Sequence, residues 1–454
     1  MKKSTGKGAG SLVLLLCFWM TLFGSACHSV SGSVRDADGS AAVTKYYTYG
    51  LFFQLEGRAE PDRVKDVTQA ELVLEETGLR SEDAFRMDVL FRVEKQKLTF
   101  WTSSRIDEGI CLDTLETGTF AAFLDLTRED GSTERLALSD ETGDGEDRQA
   151  PIEYYTLSHG HGHRKVTTSF EGPEGQETLV LRVKRSRLPG NVYDVVIDPG
   201  HGGKDPGAQS AGYREADVVL DLGKALQSAL EREGYKVLLV RDGTEDPDLN
   251  MARTIYDEDG RVNRTIASKA KVCFSLHLNE NASGSQAGVQ IYRAKKASDA
   301  FAKSVADRLV SDTDLGFSNM AGKTVPGVYT RTFSAADIRT EQAKARKKGY
   351  TFYEVTTATD YYFMVREYGG IATGAYVDGR NPDYGENRYR DSAQGVEGLL
   401  CELGFLSNEH DRQVLLNDSR GIARAMSRAL DDYADRLYEN KDGQRADLLA
   451  EETL

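Results

Sequence analysis

Two histidines and two glutamates in the second half of the chain have residue types and positions that could do hydrolytic chemistry. His201, His277 and Glu402 each lie at the end of, or just beyond, an apolar segment that is typical of a buried strand. Glu215 directly precedes a segment with helical periodicity. Ligands of open parallel α/β sheets bind beyond the carboxyl ends of the strands. We therefore expect the four side chains to meet at one edge of a sheet.

This set of side chains is suited to a zinc ion. Two histidines and one glutamate form a known catalytic zinc shell, in which the fourth position stays open for water. Zinc lowers the pKa of that water to about 7 and polarises a carbonyl group. A second carboxylate that does not bind the metal could take the proton of the water and pass it to a leaving amine. The pattern therefore predicts zinc-assisted cleavage of an amide.

The elements around these residues alternate between strand and helix from residue 192 onward. Strands are predicted at Val192–Ile197, Tyr235–Val240, Val272–Leu278 and Leu399–Phe405, and an amphipathic helix at Asp217–Leu230. Strands that are apolar throughout and alternate with helices are typical of a parallel sheet buried on both faces. The predicted fold of this part is an α/β, parallel-type sheet covered by helices on both faces.

The preceding part of the chain contains only β-type signals. Short segments rich in β-branched and aromatic residues alternate with turn signals, which predicts an all-β, sandwich-like or barrel domain. No pair of residues in it has a catalytic spacing. The predicted strands are Tyr46–Gln54, Ala70–Leu74, Met87–Val93, Leu98–Trp101, Phe120–Leu126, Val166–Phe170 and Thr178–Val183.

Length and charge exclude several classes of protein. The 454 residues carry a net charge of −15, which argues against nucleic acid as a partner because such binding depends on Lys and Arg. A mean hydropathy of −0.48 excludes a multi-span membrane protein. The predicted organisation is a signal peptide (1–26), a polar linker (27–44), a β-rich accessory domain (45–188), a zinc-binding catalytic domain (189–440) with an insertion at about 294–395, and an acidic flexible tail (441–454).

The N-terminus has the order of a secretory signal: lysines, an apolar run and then small residues. The apolar run, Leu12–Phe23, has 12 residues, fewer than the roughly 18–20 of a membrane span. Gly24-Ser25-Ala26-Cys27 resembles the lipobox of bacterial lipoproteins, which predicts lipidation of Cys27 and a membrane anchor. Gly24 departs from the aliphatic residue usual there, and ordinary cleavage after Ala26 is the alternative.

The remaining cysteines and a histidine run are interpreted as structural. Cys111, Cys273 and Cys401 have no metal-like spacing, and we expect small buried side chains, with a disulfide between Cys273 and Cys401 as the alternative. His159, His161 and His163 alternate with glycines, so ordering this segment around a metal would cost entropy. We expect an exposed loop there, with a metal site as the alternative.

Residues 193–417 resemble the zinc-dependent N-acetylmuramoyl-L-alanine amidases of the type 3 amidase family. The resemblance implies that His201, Glu215 and His277 bind Zn²⁺ and that Glu402 is the catalytic general base. Within the same motifs, Arg261, Asn263 and Asn279 are candidate substrate-binding residues, with a structural role as the alternative for the first two. The matching motifs are residues 195–203, 207–208, 215, 234–237, 240–241, 261–263, 275–279 and 402–408.

The chain departs from the family pattern in its insertion. Compact members need a helix or two between Tyr292 and Leu399, whereas this chain has about 100 residues there, including the helix-like Ala335–Lys348. Leu278 and Glu280 also replace small residues beside the metal motif. Three interpretations of the insertion stay open: a solvated surface segment, a tyrosine-rich platform that contacts substrate, and a self-inhibitory cover. The tyrosines are Tyr350, Tyr353, Tyr361, Tyr362, Tyr368 and Tyr376.

The resemblance implies a peptidoglycan hydrolase that cuts the amide between the lactyl group of N-acetylmuramic acid and L-alanine of the stem peptide. We expect it at the extracytoplasmic face of a bacterial membrane or in the cell wall, with peptidoglycan as partner and a possible further partner of the β-rich domain. A catalytically silent wall-binding protein on the same scaffold and a zinc hydrolase of another peptide amide are the alternatives. Removing residues 1–26 removes three lysines and no acid, so the mature charge is 54 − 72 = −18.

Overall fold

The N-terminal part consists of short strands, as its residue pattern predicts. Their hydrogen bonds connect into one branched sheet in the order β10-β11-β12-β8-β9-β1-β2-β6-β5, with β3 joining β8 to β4 and β7 joining β2. The arrangement is therefore one continuous hydrogen-bonded network wrapped around an apolar core. The strands are β1 (Gly39–Tyr49), β2 (Phe52–Ala59), β3 (Val67–Glu76), β4 (Phe85–Asp88), β5 (Leu90–Glu94), β6 (Lys97–Trp101), β7 (Ile110–Cys111), β8 (Gly118–Arg128), β9 (Thr133–Asp140), β10 (Glu153–Tyr155), β11 (Arg164–Glu171) and β12 (Thr178–Arg185).

The computed structural model describes residues 39–439 except 62–63, 78–83, 145–147, 158–161, 173–176, 246–256, 258, 350–351, 353–354 and 376–391. All of these residues belong to one compact unit. The predicted signal peptide, Cys27 and the predicted tail 441–454 lie outside the described residues, and so do His159 and His161. None of the described helices is long and apolar enough to cross a membrane.

The beginning of the β-rich part differs from the predicted boundaries. β1 begins at Gly39, within the stretch 27–44 predicted as a linker, because Ala41 and Val43 are buried in the apolar core. The predicted single strand Tyr46–Gln54 is a hairpin of β1 and β2. Gly50 forms the turn with a φ of +57°, a conformation that favours glycine.

The second half of the chain is built on a seven-stranded sheet in the order β16-β13-β17-β22-β18-β20-β19. β16, β13, β17 and β22 run parallel, as predicted, whereas β18 runs antiparallel to β22 and makes the sheet mixed. A separate hairpin, β14 with β15, lies ahead of the first helix. The strands are β13 (Val195–Pro199), β14 (Gln209–Ser210), β15 (Tyr213–Arg214), β16 (Val237–Leu239), β17 (Val272–Asn279), β18 (Gln290–Tyr292), β19 (Lys323–Val325), β20 (Val328–Tyr329), β21 (Gln394–Gly395) and β22 (Glu397–Phe405).

Helices cover both faces of this sheet, as the apolar strands predict. Val195 and Ile197 of β13 share an apolar core with α1, α3, α6 and α7, while Val196 between them belongs to a second core with α2 and α5. The predicted helix at 335–348 is confirmed, and Ser334 caps its N-terminus. The helices are α1 (Glu215–Arg232), α2 (Arg261–Ala267), α3 (Ala300–Asp312), α4 (Ala335–Lys348), α5 (Phe363–Tyr368), α6 (Glu409–Asn417) and α7 (Ser419–Glu439).

The β-rich part packs directly on the second half of the chain. Leu51, Phe52 and Leu157 belong to the same apolar core as α1, α3 and α7. β1 also pairs in parallel with β21, the short strand that immediately precedes β22. The strand that carries Glu402 is therefore preceded by a segment hydrogen-bonded to the β-rich part.

The three cysteines within the described residues are free. Cys273 and Cys401 are both buried, but Cys273 packs in the core on one face of the sheet and Cys401 in the core on the other. The alternative of a disulfide between these two residues is therefore wrong. The expectation of small buried side chains is confirmed for Cys273 and Cys401, whereas Cys111 is half-buried.

Candidate active site

His201 lies on the loop that follows β13, in an unusual backbone conformation. Its φ is +59°, which is uncommon for a residue with a side chain. Two buried arginines brace this loop from below. Arg241 donates to the carbonyl oxygens of Pro199 and Gly200, and Nη2 of Arg261 donates to the carbonyl oxygen of His201 at 2.8 Å.

Glu215 is the first residue of α1. The helix was predicted to begin at Asp217, close to this residue. Its side chain is buried and accepts two backbone hydrogen bonds. Oε2 accepts from the amide of Ala208 at 2.8 Å, and Oε1 accepts from the amide of Leu278 at 2.9 Å. These bonds fix the carboxylate between the loop before α1 and the end of β17.

The three predicted metal ligands converge as expected from their places in the sequence. Oε1 of Glu215 lies 3.0 Å from Nε2 of His201 and 3.1 Å from Nδ1 of His277. One ligand atom of each residue lies within 4.8 Å of the others. A tetrahedral zinc ion with ligands at about 2.0–2.1 Å holds those ligands roughly 3.3 Å apart. The spacing of the three side chains is therefore compatible with a shared zinc ion.

The surroundings of these side chains also fit a small cation. Nε2 of His277 is buried and finds no hydrogen-bond partner within the described part of the chain. A Cβ atom at Gly200 would lie 2.3 Å from Cε1 of His277, and one at Gly207 would lie 2.5 Å from Oε2 of Glu215. A side chain at either position would therefore collide with His277 or Glu215, and only glycine leaves the space that these two residues occupy.

Hydrogen bonds among these groups shift their titration. The pKa of Glu215 lies far below its usual range: burial alone would raise it, but the hydrogen bonds with His201 and His277 favour the carboxylate and outweigh burial. The pKa of His201 is raised, since its bonds with Glu215 and Asp205 overcome the opposing effect of burial. Glu215 is therefore held in the anionic form that a cation requires.

Glu402 lies on β22, directly opposite His277 of β17 in the parallel register. Its Oε2 atom is buried and has no hydrogen-bond partner among the residues that the structure describes. Burial, together with the nearby negative charge of Glu215, raises the pKa of Glu402 to about 8. The structure thus places an unengaged carboxyl group beside the three converging side chains.

Two supporting residues had no prediction attached to them. Oδ2 of Asp205 lies 2.9 Å from Nδ1 of His201, on the opposite side of the ring from Glu215. Asp198 is fully buried beneath the loop and bonds Arg261 through Oδ1 and Ser275 through Oδ2. Asp205 could have been predicted from its position four residues after a candidate metal ligand. A histidine that binds a metal usually donates its second N–H to a carboxylate or another acceptor.

The candidate substrate-binding residues lie in different surroundings. Arg261 is buried, and its Nη1 and Nη2 atoms donate to Asp198 and to the loop that carries His201, which agrees with the structural alternative. Asn263 is half-buried on α2 and donates to the carbonyl oxygen of Asp257. Asn279 ends β17 and donates to Oε1 of Gln290 at 2.9 Å. Of the three, Asn279 therefore lies nearest in the fold to Glu402, whose strand neighbour is Gln290.

The tyrosines of the insertion separate into two groups. Tyr368 is fully buried and donates to Oδ2 of Asp198 at 2.9 Å, beneath the site. Tyr361 and Tyr362 are half-buried with ring centroids 5.4 Å apart, and Tyr362 lies 5.0 Å from the ring of Tyr292 on β18. Tyr350, Tyr353 and Tyr376 lie outside the described residues.

The histidine run has one described member. Nε2 of His163 lies 3.0 Å from Oδ1 of Asp194, which is fully buried ahead of β13. This contact ties the β-rich part to the first strand of the α/β part. His163 therefore has a structural partner within the described residues.

Part of the chain is similar to known amidases. Residues 195–340 match the family described as N-acetylmuramoyl-L-alanine amidase. The chain is 35% identical over 246 residues to the N-acetylmuramoyl-L-alanine amidase AmiC of Neisseria meningitidis, covering 53% of this chain and 52% of that protein. It is 30% identical over 149 residues to the germination-specific N-acetylmuramoyl-L-alanine amidase of Bacillus subtilis, covering 31% of this chain and 62% of that protein.

The solved structures to which the chain is similar include the amidase CwlD of Clostridioides difficile in complex with the GerS lipoprotein. That chain is 21% identical, with a TM-score of 0.35, and the match covers 54% of this chain and 99% of that one. The chain described here spans about half, or less, of two of the curated relatives, 21% of LytC of Bacillus subtilis and 52% of the Neisseria meningitidis protein. Residues 195–340 nevertheless carry the sequence pattern of the N-acetylmuramoyl-L-alanine amidase family, and the chain has homologues among its members.

Proposed function

We propose that this chain is an exported, zinc-dependent peptidoglycan amidase. It cuts the amide between the lactyl group of N-acetylmuramic acid and L-alanine of the stem peptide. The observation that carries the proposal is the convergence of His201, Glu215 and His277 beside the unengaged carboxyl group of Glu402. The match of residues 195–340 to the amidase family supports the choice of bond.

In this proposal, His201, Glu215 and His277 hold the zinc ion, and Asp205 orients the ring of His201. When bound, zinc supplies Lewis-acid polarisation of the amide carbonyl and lowers the pKa of water. Glu402 accepts a proton from the attacking water as the C–O bond forms. It then returns that proton to the nitrogen of L-alanine as the C–N bond breaks, so that the amine leaves neutral.

Arg261, Arg241 and Asp198 act as positioning residues in this account. They hold the loop after β13 in the conformation that His201 requires, because Arg241 and Arg261 donate to its carbonyl oxygens and Asp198 accepts from Arg261. Asn279, linked to Gln290 beside Glu402, is the remaining candidate for contact with substrate. In this proposal, the two arginines and Asp198 support the site from within the protein, and Asn279 at the end of β17 contacts the substrate.

We further propose that the mature protein is held at the outer face of the membrane by a lipid on Cys27. The order of charged, apolar and small residues before Cys27 supports this. Because the mature chain has a charge of 54 − 72 = −18, attraction to anionic wall polymers is weak, and recognition depends on the cleft. Labelled palmitate incorporated into the wild type and not into Cys27→Ser would support the anchor, and equal labelling would reject it.

Digestion of purified sacculi by the zinc-loaded mature chain tests the function. We expect new amino termini on L-alanine and no new reducing ends. Intact sacculi would favour a silent wall-binding protein instead. Another new amino-terminal residue would favour a hydrolase of a different peptide amide.

A further inference from the structure

An exposed arginine in the insertion lies on a cluster of tyrosines that extends toward Glu402. The guanidinium carbon of Arg331 lies 3.7 Å from the ring centroid of Tyr361 and 5.5 Å from that of Tyr362. Its Nη1 also reaches Oη of Tyr362 at 3.4 Å. Stacking on two rings restricts the side chain while its hydrogen-bonding edge stays available.

The charge of Arg331 is not neutralised by an ion pair within the part of the chain that the structure describes: no described carboxylate oxygen lies within 4.0 Å of it. Asp337 is a nearby acid, but its carboxylate is engaged with the amide and hydroxyl of Ser334 at the start of α4. In a chain with a net charge of −15, a guanidinium that lies on two rings and has no ion pair among the described residues is available to an external anion.

Strand register connects this arginine to the proposed active site. Gln290 of β18 is paired with Glu402 of β22, and Tyr292 of β18 is paired with Tyr329 of β20. Because alternate residues of a strand point to the same side, the side chains of Gln290, Tyr292 and Tyr329 lie on the same face of the sheet as Glu402. Arg331 follows two residues after the end of β20.

The rings along this face are in contact with one another. The ring of Tyr292 lies 5.4 Å from that of Tyr329 and 5.0 Å from that of Tyr362. Tyr292 also donates to Oε1 of Gln290 at 3.0 Å. A continuous aromatic surface, made of the half-buried Tyr292, Tyr361 and Tyr362, therefore runs from beside Glu402 to Arg331. The buried ring of Tyr329 packs against Tyr292.

The chemistry of the substrate identifies the anion. A guanidinium binds a carboxylate through two parallel hydrogen bonds. In the substrate of the proposed function, the carboxyl group of the lactyl substituent forms the amide that is cut, so it is not a free carboxylate. Free carboxylates of the substrate therefore belong to its peptide.

We propose that Arg331 binds a carboxylate of the stem peptide and that the aromatic surface guides the stem from the cleavage site to it. This inference rests on the proposed function and assigns a specificity-determining role to the insertion. It predicts that the enzyme prefers stems whose carboxyl groups are free over stems in which they are amidated.

The test uses the zinc-loaded mature chain and two synthetic N-acetylmuramoyl tripeptides of identical sequence, one with free carboxyl groups and one with all of them amidated. We expect the wild type to prefer the free acid by about tenfold to hundredfold in kcat/KM, mainly through KM, because a hydrogen bond to a charged group contributes that much. Arg331→Gln should abolish the preference. Arg331→Lys should keep a reduced part of it, since lysine retains the charge and lacks the fork.

Arg339→Gln is the matched control, because Arg339 is another exposed arginine of the insertion, on α4. It should leave the preference unchanged. Tyr361→Ala should weaken the preference, since it removes the ring on which Arg331 lies, and thermal unfolding shows whether each variant is folded. A preference that survives in Arg331→Gln, or a wild type that cleaves both compounds equally, would overturn the inference alone. A wild type that cleaves neither compound would overturn the proposed function and this inference with it.

Discussion

Tyr368 donates a hydrogen bond of 2.9 Å to Oδ2 of Asp198, and so joins a helix of the insertion to the strand that leads to His201. Both residues are fully buried. Through Oδ1, the same carboxylate bonds Arg261, which in turn holds the carbonyl oxygen of His201. Part of the insertion therefore belongs to the support of the proposed metal site.

Replacing Tyr368 with Phe should test that support. The change removes one hydrogen bond from a buried carboxylate and should lower the free energy of unfolding by about 1–3 kcal/mol. Urea unfolding of the two proteins measures the difference. Tyr213→Phe is the control, because Tyr213 is exposed, and it should change stability little. Equal stability of Tyr368→Phe and the wild type would show that the bond does not support the fold.

Asp205 should control zinc affinity through the orientation of His201. Removing a group that bonds a ligating histidine typically costs about 10–100-fold in metal affinity. We expect a loss of that size in Asp205→Ala and a smaller one in Asp205→Asn, measured by competition with a chelator of known affinity. Asp221→Ala, an exposed position on α1, should bind zinc as the wild type does. Unchanged affinity in Asp205→Ala would remove Asp205 from the site.

Asp360 should make stability depend on pH. Burial raises the pKa of Asp360 to about 6, although its carboxylate accepts a hydrogen bond from the amide of Lys295. In the unfolded chain the group ionises near its ordinary value of about 3.9. Between these two pH values the folded state holds a proton that the unfolded state has lost, so the free energy of unfolding falls as pH rises from about 4 to 6.

Asp360→Asn should remove this part of the pH dependence, since the amide oxygen can still accept from Lys295. The wild type should lose up to about 3 kcal/mol more than the variant across that interval. Asp113, whose pKa burial also raises to about 6, contributes the same sign in both proteins and cancels in the comparison. Parallel pH profiles for wild type and variant would contradict the assignment.

The two halves of the chain should unfold together. Asp107 of the β-rich part accepts hydrogen bonds from the amide and hydroxyl of Ser298, and Leu51 and Phe52 lie in the core of the α/β part. A protein of residues 190–454 would expose that core and leave β21 without β1. We expect it to be insoluble or to lack a cooperative unfolding transition, as measured by circular dichroism. A cooperative fold and undiminished sacculus digestion would show that the β-rich part is dispensable.

The local pattern was sufficient to predict four strands of the α/β part, β13, β16, β17 and β22, and the meeting of His201, Glu215 and His277. Apolar runs and helical periodicity reflect burial, and residues at the ends of parallel strands must meet at one edge. The antiparallel strand that makes the sheet mixed could not be predicted in this way. The residues of a strand as short as Gln290–Tyr292 do not indicate its direction relative to its neighbours.

The contacts between distant segments could not be predicted from the sequence either. Nothing in the residues around Arg261 shows that its Nη1 and Nη2 atoms bond Asp198 and the His201 loop, because such partners are set by the tertiary fold. The same holds for Tyr368, whose place beneath the site could not be told from that of Tyr361 or Tyr362 in one tyrosine-rich segment. The hairpin turn at Gly50 had only a single glycine between apolar residues as its signal.

The most direct test of the account compares zinc content and sacculus digestion in the wild type and Glu402→Gln. Glutamine has the size of glutamate and cannot take up the proton, so we expect the variant to retain stoichiometric zinc and to release L-alanine amino termini at least about 10²-fold more slowly. Retained digestion would show that Glu402 is not the general base. Loss of zinc together with activity would contradict the account by making Glu402 a metal ligand.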